Sequence, residues 1–296
     1  MRARGMRRGL FGVVVMAAAL SGTLAADPPK QTAEERLKVL EASSGRRLGV
    51  AALDTGTGLR VAHRAGERFA MCSTFKLALA GAVLAGVDSG KESLERRVAY
   101  TSADLLSYAP VAKEHAKEGS MTVGALCAAA VEVSDNTAAN LLLRTLGGPA
   151  GFTRFLRSLG DEVTRLDRDE PTLNTNEPGD ARDTTTPDAM LATMNALLLG
   201  DALSPASRLQ LQAWLVASTT GAARLRAGVP PSWRVGDKTG TGANGATNDL
   251  AILWPPGRAP ILVAAYSSGA KGSDDERNAV LAEVARIIIS ATEKDR

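Results

Sequence analysis

Residues 233–267 read WRVGDKTGTGANGATNDLAILWPPGRAPILVAAYS, and this stretch decides the fold class. Three short runs, Trp233–Gly240, Thr247–Trp254 and Pro260–Ser267, are each closed by a turn containing Gly or Pro. Apolar and β-branched runs with that punctuation predict neighbouring strands. Toward the N-terminus, Arg47–Asp54 and Leu59–His63 flank Thr55-Gly56-Thr57-Gly58 and predict a β-hairpin. Two capping boxes open helices: Thr32-Ala33-Glu34-Glu35, through about Ala42, and Ser273-Asp274-Asp275-Glu276, through about Thr292.

Between the two groups of strands the pattern is helical. Cys72–Val87 is a long apolar stretch rich in Ala and Leu, and helices or loops continue to about Leu215, including Val123–Val133, Thr137–Leu146, Gly151–Leu159 and Pro187–Leu199. No internal repeat or low-complexity tract interrupts them. Antiparallel strands split by a helical insertion predict an α+β fold with two lobes, and small-molecule sites favour the cleft between lobes.

Composition removes several functions. The chain has 296 residues, 45% hydrophobic and 23% charged, enough for a large core. Its formal charge is +3 from 35 basic and 32 acidic residues, which gives no electrostatic case for nucleic-acid binding. Two Cys cannot build a disulfide scaffold, and two His, 63 and 115, cannot build a zinc site with them. No metal or cofactor is therefore expected.

Met1–Arg8 holds four Arg and no acid, Leu10–Leu20 is apolar, and small residues follow to Ala26. That arrangement predicts a secretory signal over residues 1–26, cleaved after Ala25 or Ala26 and too short for a comfortable membrane span. Arg7-Arg8 also allows a twin-arginine signal. Removing the leader takes the charge from +3 to −1, so the basicity is a targeting feature. Export to the periplasm or medium, with no stable membrane anchor, is the expectation.

The chemistry lies in three short motifs. Ser73-Thr74-Phe75-Lys76 opens the apolar helix, placing a hydroxyl and an amine on one face. A serine needs an adjacent base to become a nucleophile, and a buried lysine of lowered pKa can serve. Alone the pattern is weak, since Ser268-Gly269-Ala270-Lys271 matches it as well. Ser134-Asp135-Asn136 at a helix–loop junction and Lys238-Thr239-Gly240 at a strand end supply the company that promotes the first copy.

In that order, the three motifs resemble the class A serine β-lactamases within the penicillin-recognising serine enzymes, over essentially the whole mature chain. The resemblance implies a lobe of 27–68 and 215–296 with a five-stranded antiparallel sheet flanked by helices. It implies a second, all-helical lobe of 69–214. Glu170-Pro171-Thr172-Leu173-Asn174 separates the branches. It lies in 165–183, a 19-residue segment with nine charged residues that matches the family's omega loop, with Arg168 and Asp183 matching the pair that ties its ends. Penicillin-binding proteins lack this Glu, so D-alanyl-D-alanine peptidases and β-lactam-sensing receptor domains become the alternatives.

The same resemblance implies the roles. Ser73 attacks the β-lactam carbonyl, and Lys76, or Glu170 through water, takes its proton. The oxyanion lies between the Ser73 and Thr241 N–H groups. Ser134 relays a proton to the lactam nitrogen beside Lys238, and Glu170 with Asn174 directs water at the ester. Asn136, Thr239, Gly240, Thr241 and Tyr108 contact substrate. Arg224 matches a position where some members place a carboxylate-binding Arg, and a surface charge is the plain alternative. Members with a bridge to Cys127 or Cys72 need a cysteine where this chain has Ala80 or Gly242, so both thiols are expected free and mostly buried. The implied partners are β-lactam antibiotics and mechanism-based inhibitors, and a monomer is expected.

Overall fold

A computed structural model describes residues 1–2, 31–269 and 272–294; the expected leader and its cleavage point, along with Ala270 and Lys271 of the second S-x-x-K match, lie outside the described residues. Residues Thr32–Arg296 form one compact unit. Its strands are β1 Arg47–Asp54, β2 Arg60–His63, β3 Phe69–Ala70, β4 Arg97–Ala99, β5 Ser120–Thr122, β6 Thr184–Thr185, β7 Arg234–Thr241, β8 Thr247–Trp254 and β9 Ile261–Ser268. Helices α1 Ala33–Ser44, α2 Phe75–Asp88, α3 Pro110–Glu114, α4 Val123–Glu132 and α5 Asn136–Thr145 come first. Then follow α6 Gly148–Ser158, α7 Pro187–Leu198, α8 Pro205–Val216 and α9 Asp274–Lys294.

Both capping boxes form as the sequence requires. Thr32 Oγ1 accepts from Glu35 N while the Glu35 carboxylate takes Thr32 N, and Ser273 and Glu276 repeat the exchange at α9. The main sheet runs β2-β1-β9-β8-β7, antiparallel throughout, so the first and last parts of the chain meet at its centre. Its strands read as nearly unbroken apolar runs because both faces are covered. Leu262, Ala264 and Tyr266 of β9 join one core, and Ile261, Val263 and Ala265 join the other. The second core is closed by α1 and α9, and the first by the helices between β2 and β7.

Helix α2 is the axis of that first core. Every residue from Phe75 to Leu84 is buried, and α4, α5, α6, α7 and α8 pack around it. A helix apolar on all sides is stable only in such a position, which explains the Ala-rich sequence. It also fixes Ser73, the candidate nucleophile. The 3₁₀ turn Cys72–Thr74 leads into α2 and packs against β7, where a side chain at Gly240 would come within 2.7 Å of Met71 O. The glycine of the K-T-G motif is thus a packing requirement: only a bare backbone lets the strand approach the helix start.

Candidate active site

Ser73 sits just after Cys72, whose φ of +47° lies in the left-handed region that non-glycine residues rarely occupy. That bend is held by Asn248 of β8, which neither motif nor resemblance singled out for this role. Its buried amide donates to Ala70 O at 2.9 Å and Met71 O at 3.1 Å, and its Oδ1 accepts from Ser267 N at 3.3 Å.

The Ser73 hydroxyl donates to Glu170 Oε1 at 3.1 Å, and Lys76 Nζ meets the same oxygen at 2.9 Å. The Ser73 hydroxyl and the Lys76 amine therefore converge on one carboxylate oxygen. Lys76 is wholly buried and also donates to Ser134 O at 2.9 Å and Asn136 Oδ1 at 2.6 Å. Burial pulls its pKa below the lysine range, and Glu170 and Asp135 oppose that pull.

Ser134 joins the two lysines. Its Oγ lies 3.0 Å from Lys238 Nζ and 3.4 Å from Lys76 Nζ. It too is left-handed, at φ +60°. The middle residue of the motif accounts for how that is held. Asp135 is buried and caps α5 through Ala138 N at 2.9 Å, while its second oxygen takes Val111 N and Ala112 N of α3 at 3.0 and 2.9 Å. Lys238, also fully buried, donates to Thr239 O at 2.8 Å. Its pKa falls well below the usual value because of burial and then the nearby Lys76 charge.

Glu170 is fixed through its backbone. Asn140 of α5 donates to Glu170 O at 2.8 Å and accepts from Glu170 N at 2.9 Å, a two-sided clamp absent from the sequence reading. Its carboxylate accepts from Asn174 Nδ2 at 2.5 Å. The ends of 165–183 are tied as expected: Arg168 Nε meets Asp183 Oδ2 at 2.5 Å, and Asp183 Oδ1 takes Asp167 N and Arg168 N at 2.7 and 2.9 Å. Asp183 O also accepts Met71 N at 2.9 Å, so the loop base and the turn before the nucleophile share one residue.

Ser73, Ser134, Asn136, Asn174, Thr239, Thr241, Tyr108 and Arg224, with Thr220, line one cleft of about 320 Å³. Tyr108 is half exposed at its rim, with its hydroxyl donating to Val133 O at 3.2 Å. Arg224 is not a loose surface charge. It donates to Gly240 O at 2.9 Å, Asn248 O at 2.7 Å, Thr241 Oγ1 at 2.6 Å and Asn278 Oδ1 at 3.0 Å. Four acceptors, on two strands and one helix, hold this cation beside the end of β7. Thr239 Oγ1 and Thr220 Oγ1 are 2.7 Å apart on the same wall. Among the described residues no group of three or more His, Cys, Asp or Glu could hold a metal.

A serine in contact with a carboxylate, and two desolvated lysines joined by a second serine, form the kind of arrangement that a serine acyl-transfer enzyme uses. Residues 31–292 match the family described as the β-lactamase enzyme family. The chain is 49% identical over 300 residues to β-lactamase AST-1 of Nocardia asteroides, covering 97% of this chain and 96% of that one. It is 46% identical over 288 residues to β-lactamase Toho-1 of Escherichia coli, covering 97% and 99%. An ancestral class A β-lactamase structure superposes with a TM-score of 0.86 at 62% identity, over 88% of this chain and 100% of the other. The chain belongs to the β-lactamase enzyme family, as a class A member.

Proposed function

We propose that this enzyme hydrolyses the β-lactam amide of penicillins and cephalosporins through an acyl-enzyme on Ser73, and thereby confers resistance. The observation that carries the reading is the meeting of Ser73 Oγ and Lys76 Nζ on Glu170 Oε1. A carboxylate in hydrogen-bond contact with the nucleophile is placed to serve twice. It can take the Ser73 proton, pass it by way of Lys76 to Ser134 as the lactam nitrogen is protonated, and, ionised again, later draw a proton from water attacking the ester carbonyl.

The bond changes follow. The Ser73 Oγ–carbonyl bond forms, the lactam C–N bond breaks, and the nitrogen takes a proton from Ser134. Ser134 is re-supplied by Lys76 or Lys238, both within 3.4 Å of its Oγ. Backbone N–H groups of Ser73 and Thr241 receive the oxyanion; loss of one such donor costs about 10²–10³ in rate. Lys238, Thr239 and Arg224 form a cationic wall for the substrate carboxylate, Gly240 keeps the β7 backbone close to the nucleophile turn, and Asn136 and Tyr108 meet the acylamino side. Glu170 with Asn174 then directs water at the ester, which distinguishes hydrolysis from the lasting acylation of a receptor domain.

We place this cleft between the lobe of residues 27–68 and 215–296 and the helical lobe of residues 69–214. Export to the periplasm or medium after loss of residues 1–26, and action as a monomer, complete the reading. Among the described residues, no helix is long and apolar enough to cross a membrane. The test is Glu170→Ala with benzylpenicillin. The parent should turn over the drug and a chromogenic cephalosporin rapidly, and the variant should hold the intact acyl group on Ser73 by mass spectrometry. Unimpaired turnover by Glu170→Ala would remove Glu170 from its role.

A further inference from the structure

The seam between the loop carrying Glu170 and the β7–β8 turn is closed by two asparagines facing each other. Asn176 Nδ2 donates to Ala243 O at 3.1 Å and Asn244 O at 3.3 Å. Asn244 Nδ2 donates to Thr175 O at 3.2 Å and Asn176 O at 3.1 Å. Each side chain thus binds the backbone that carries the other. Both residues are left-handed, at φ +47° and +50°. Asparagine is among the few non-glycine residues that tolerate this conformation, and its neutral amide supplies the donors, so one residue type meets both demands.

The seam leads directly to the catalytic groups. Ala243 N donates to Asn174 O at 2.9 Å, in the residue next but one to Asn176, and Asn174 Nδ2 donates to Glu170 Oε2 at 2.5 Å. On the other side the turn is anchored by Gly269 N, which donates to Asn244 O at 2.9 Å, and by Arg46, which donates to Gly245 O at 2.5 Å. A rigid sheet end therefore grips the loop two residues beyond Asn174.

We propose that Asn176 and Asn244 are positioning residues for deacylation: their reciprocal clasp holds Asn174, and through it the Glu170 carboxylate, at the distance from Ser73 that water attack on the acyl ester requires. The proposal rests on the reading of Glu170 and Asn174 given above. Ser73, Lys76, Ser134 and Lys238 do not touch the clasp, so acylation with Lys76 as the base that takes the Ser73 proton does not depend on it. In a two-step acyl-enzyme scheme, kcat/KM reports acylation alone, and a slower second step lowers kcat and KM by the same factor.

The test uses Asn244→Gly, Asn244→Asp and Asn176→Gly in the full-length enzyme with benzylpenicillin. Glycine keeps the left-handed backbone and removes only the donors; aspartate keeps the side-chain shape but turns a carboxylate toward Thr175 O and Asn176 O. The expected result is a fall of about tenfold in kcat and in KM together, equal to about 1.4 kcal/mol on the second barrier, with kcat/KM unchanged. Acyl-Ser73 should accumulate by quenched mass spectrometry, and the double glycine variant should be no slower than either single one. A merely structural role would lower the melting temperature without separating kcat from kcat/KM. Parental kcat in Asn244→Gly and Asn176→Gly, or a loss confined to kcat/KM, would overturn the proposal. Should Glu170→Ala trap the acyl-enzyme while the clasp variants deacylate normally, only the clasp fails; should Glu170→Ala turn over normally, the underlying base assignment fails.

Discussion

Asn140→Ala tests how far the hold on Glu170 rests on one buried side chain. Asn140 is 8% exposed and Glu170 2% exposed, and the amide of the first satisfies both the N–H and the C=O of the second. Truncation leaves two buried backbone groups unpaired. At about 1–3 kcal/mol for each such group, the loss is about 4 kcal/mol. For a domain of this size roughly 3 °C of melting temperature accompany each kcal/mol, so the transition should fall by about 12 °C. Asn140→Asp should do no better: it keeps the acceptor for Glu170 N but sets a carboxylate against Glu170 O. Calorimetry of parent and variants, paired with kcat on benzylpenicillin, reads both consequences, because a loop released at Glu170 should also deacylate slowly. A melting temperature within about 2 °C of the parent would refute the reasoning, since it would mean that the two groups carry little of the desolvation cost assigned to them.

Two further outcomes follow from buried charge and buried sulfur. Burial lowers the Lys238 pKa from 10.5, so kcat/KM, which needs the ammonium, should fall with rising pH below the ordinary lysine range. Over the same window the unfolded chain holds a proton that the folded one lacks, so stability rises with pH. Lys238→Arg should move the alkaline limb upward, and a parent profile flat to the lysine range would contradict the assignment. Cys72 and Cys127 are free and buried, and burial raises the Cys72 pKa to about 12. Native protein at mild pH should resist a thiol reagent, whereas denatured protein without reductant should yield two thiols; finding none would establish a bridge.

Much of the fold was legible because its signals are local. The strand runs that bracket the helical insertion, both capping boxes and the turn residues between β7 and β9 act within a few residues of themselves, and the structure places them within a residue or two of expectation. The candidate catalytic groups were legible for a related reason: S-x-x-K, S-D-N, K-T-G and the E-x-x-x-N segment are each short enough to be recognised without knowing where the chain goes next. Arg224 was readable as a candidate but not as a held cation, because its acceptors on Gly240, Thr241, Asn248 and Asn278 lie 16 to 54 residues away.

The sequence by itself determined which side chains are candidates for the chemistry, the strands of the main sheet with the helical insertion between them, and the want of a thiol bridge; the short pairs β3–β6 and β4–β5 carry no such local signal. Only the tertiary structure decided what holds those side chains. Asn140 reaches Glu170 across 30 residues, Asn244 reaches Thr175 across 69, and Asn248 reaches Ala70 across 178. Each is an ordinary polar residue with no local pattern, and it acquires its role when folding buries a backbone group that water no longer serves. A buried donor or acceptor must find a partner wherever the chain brings one near, and that partner is set by the packing of α2, α5 and the sheet.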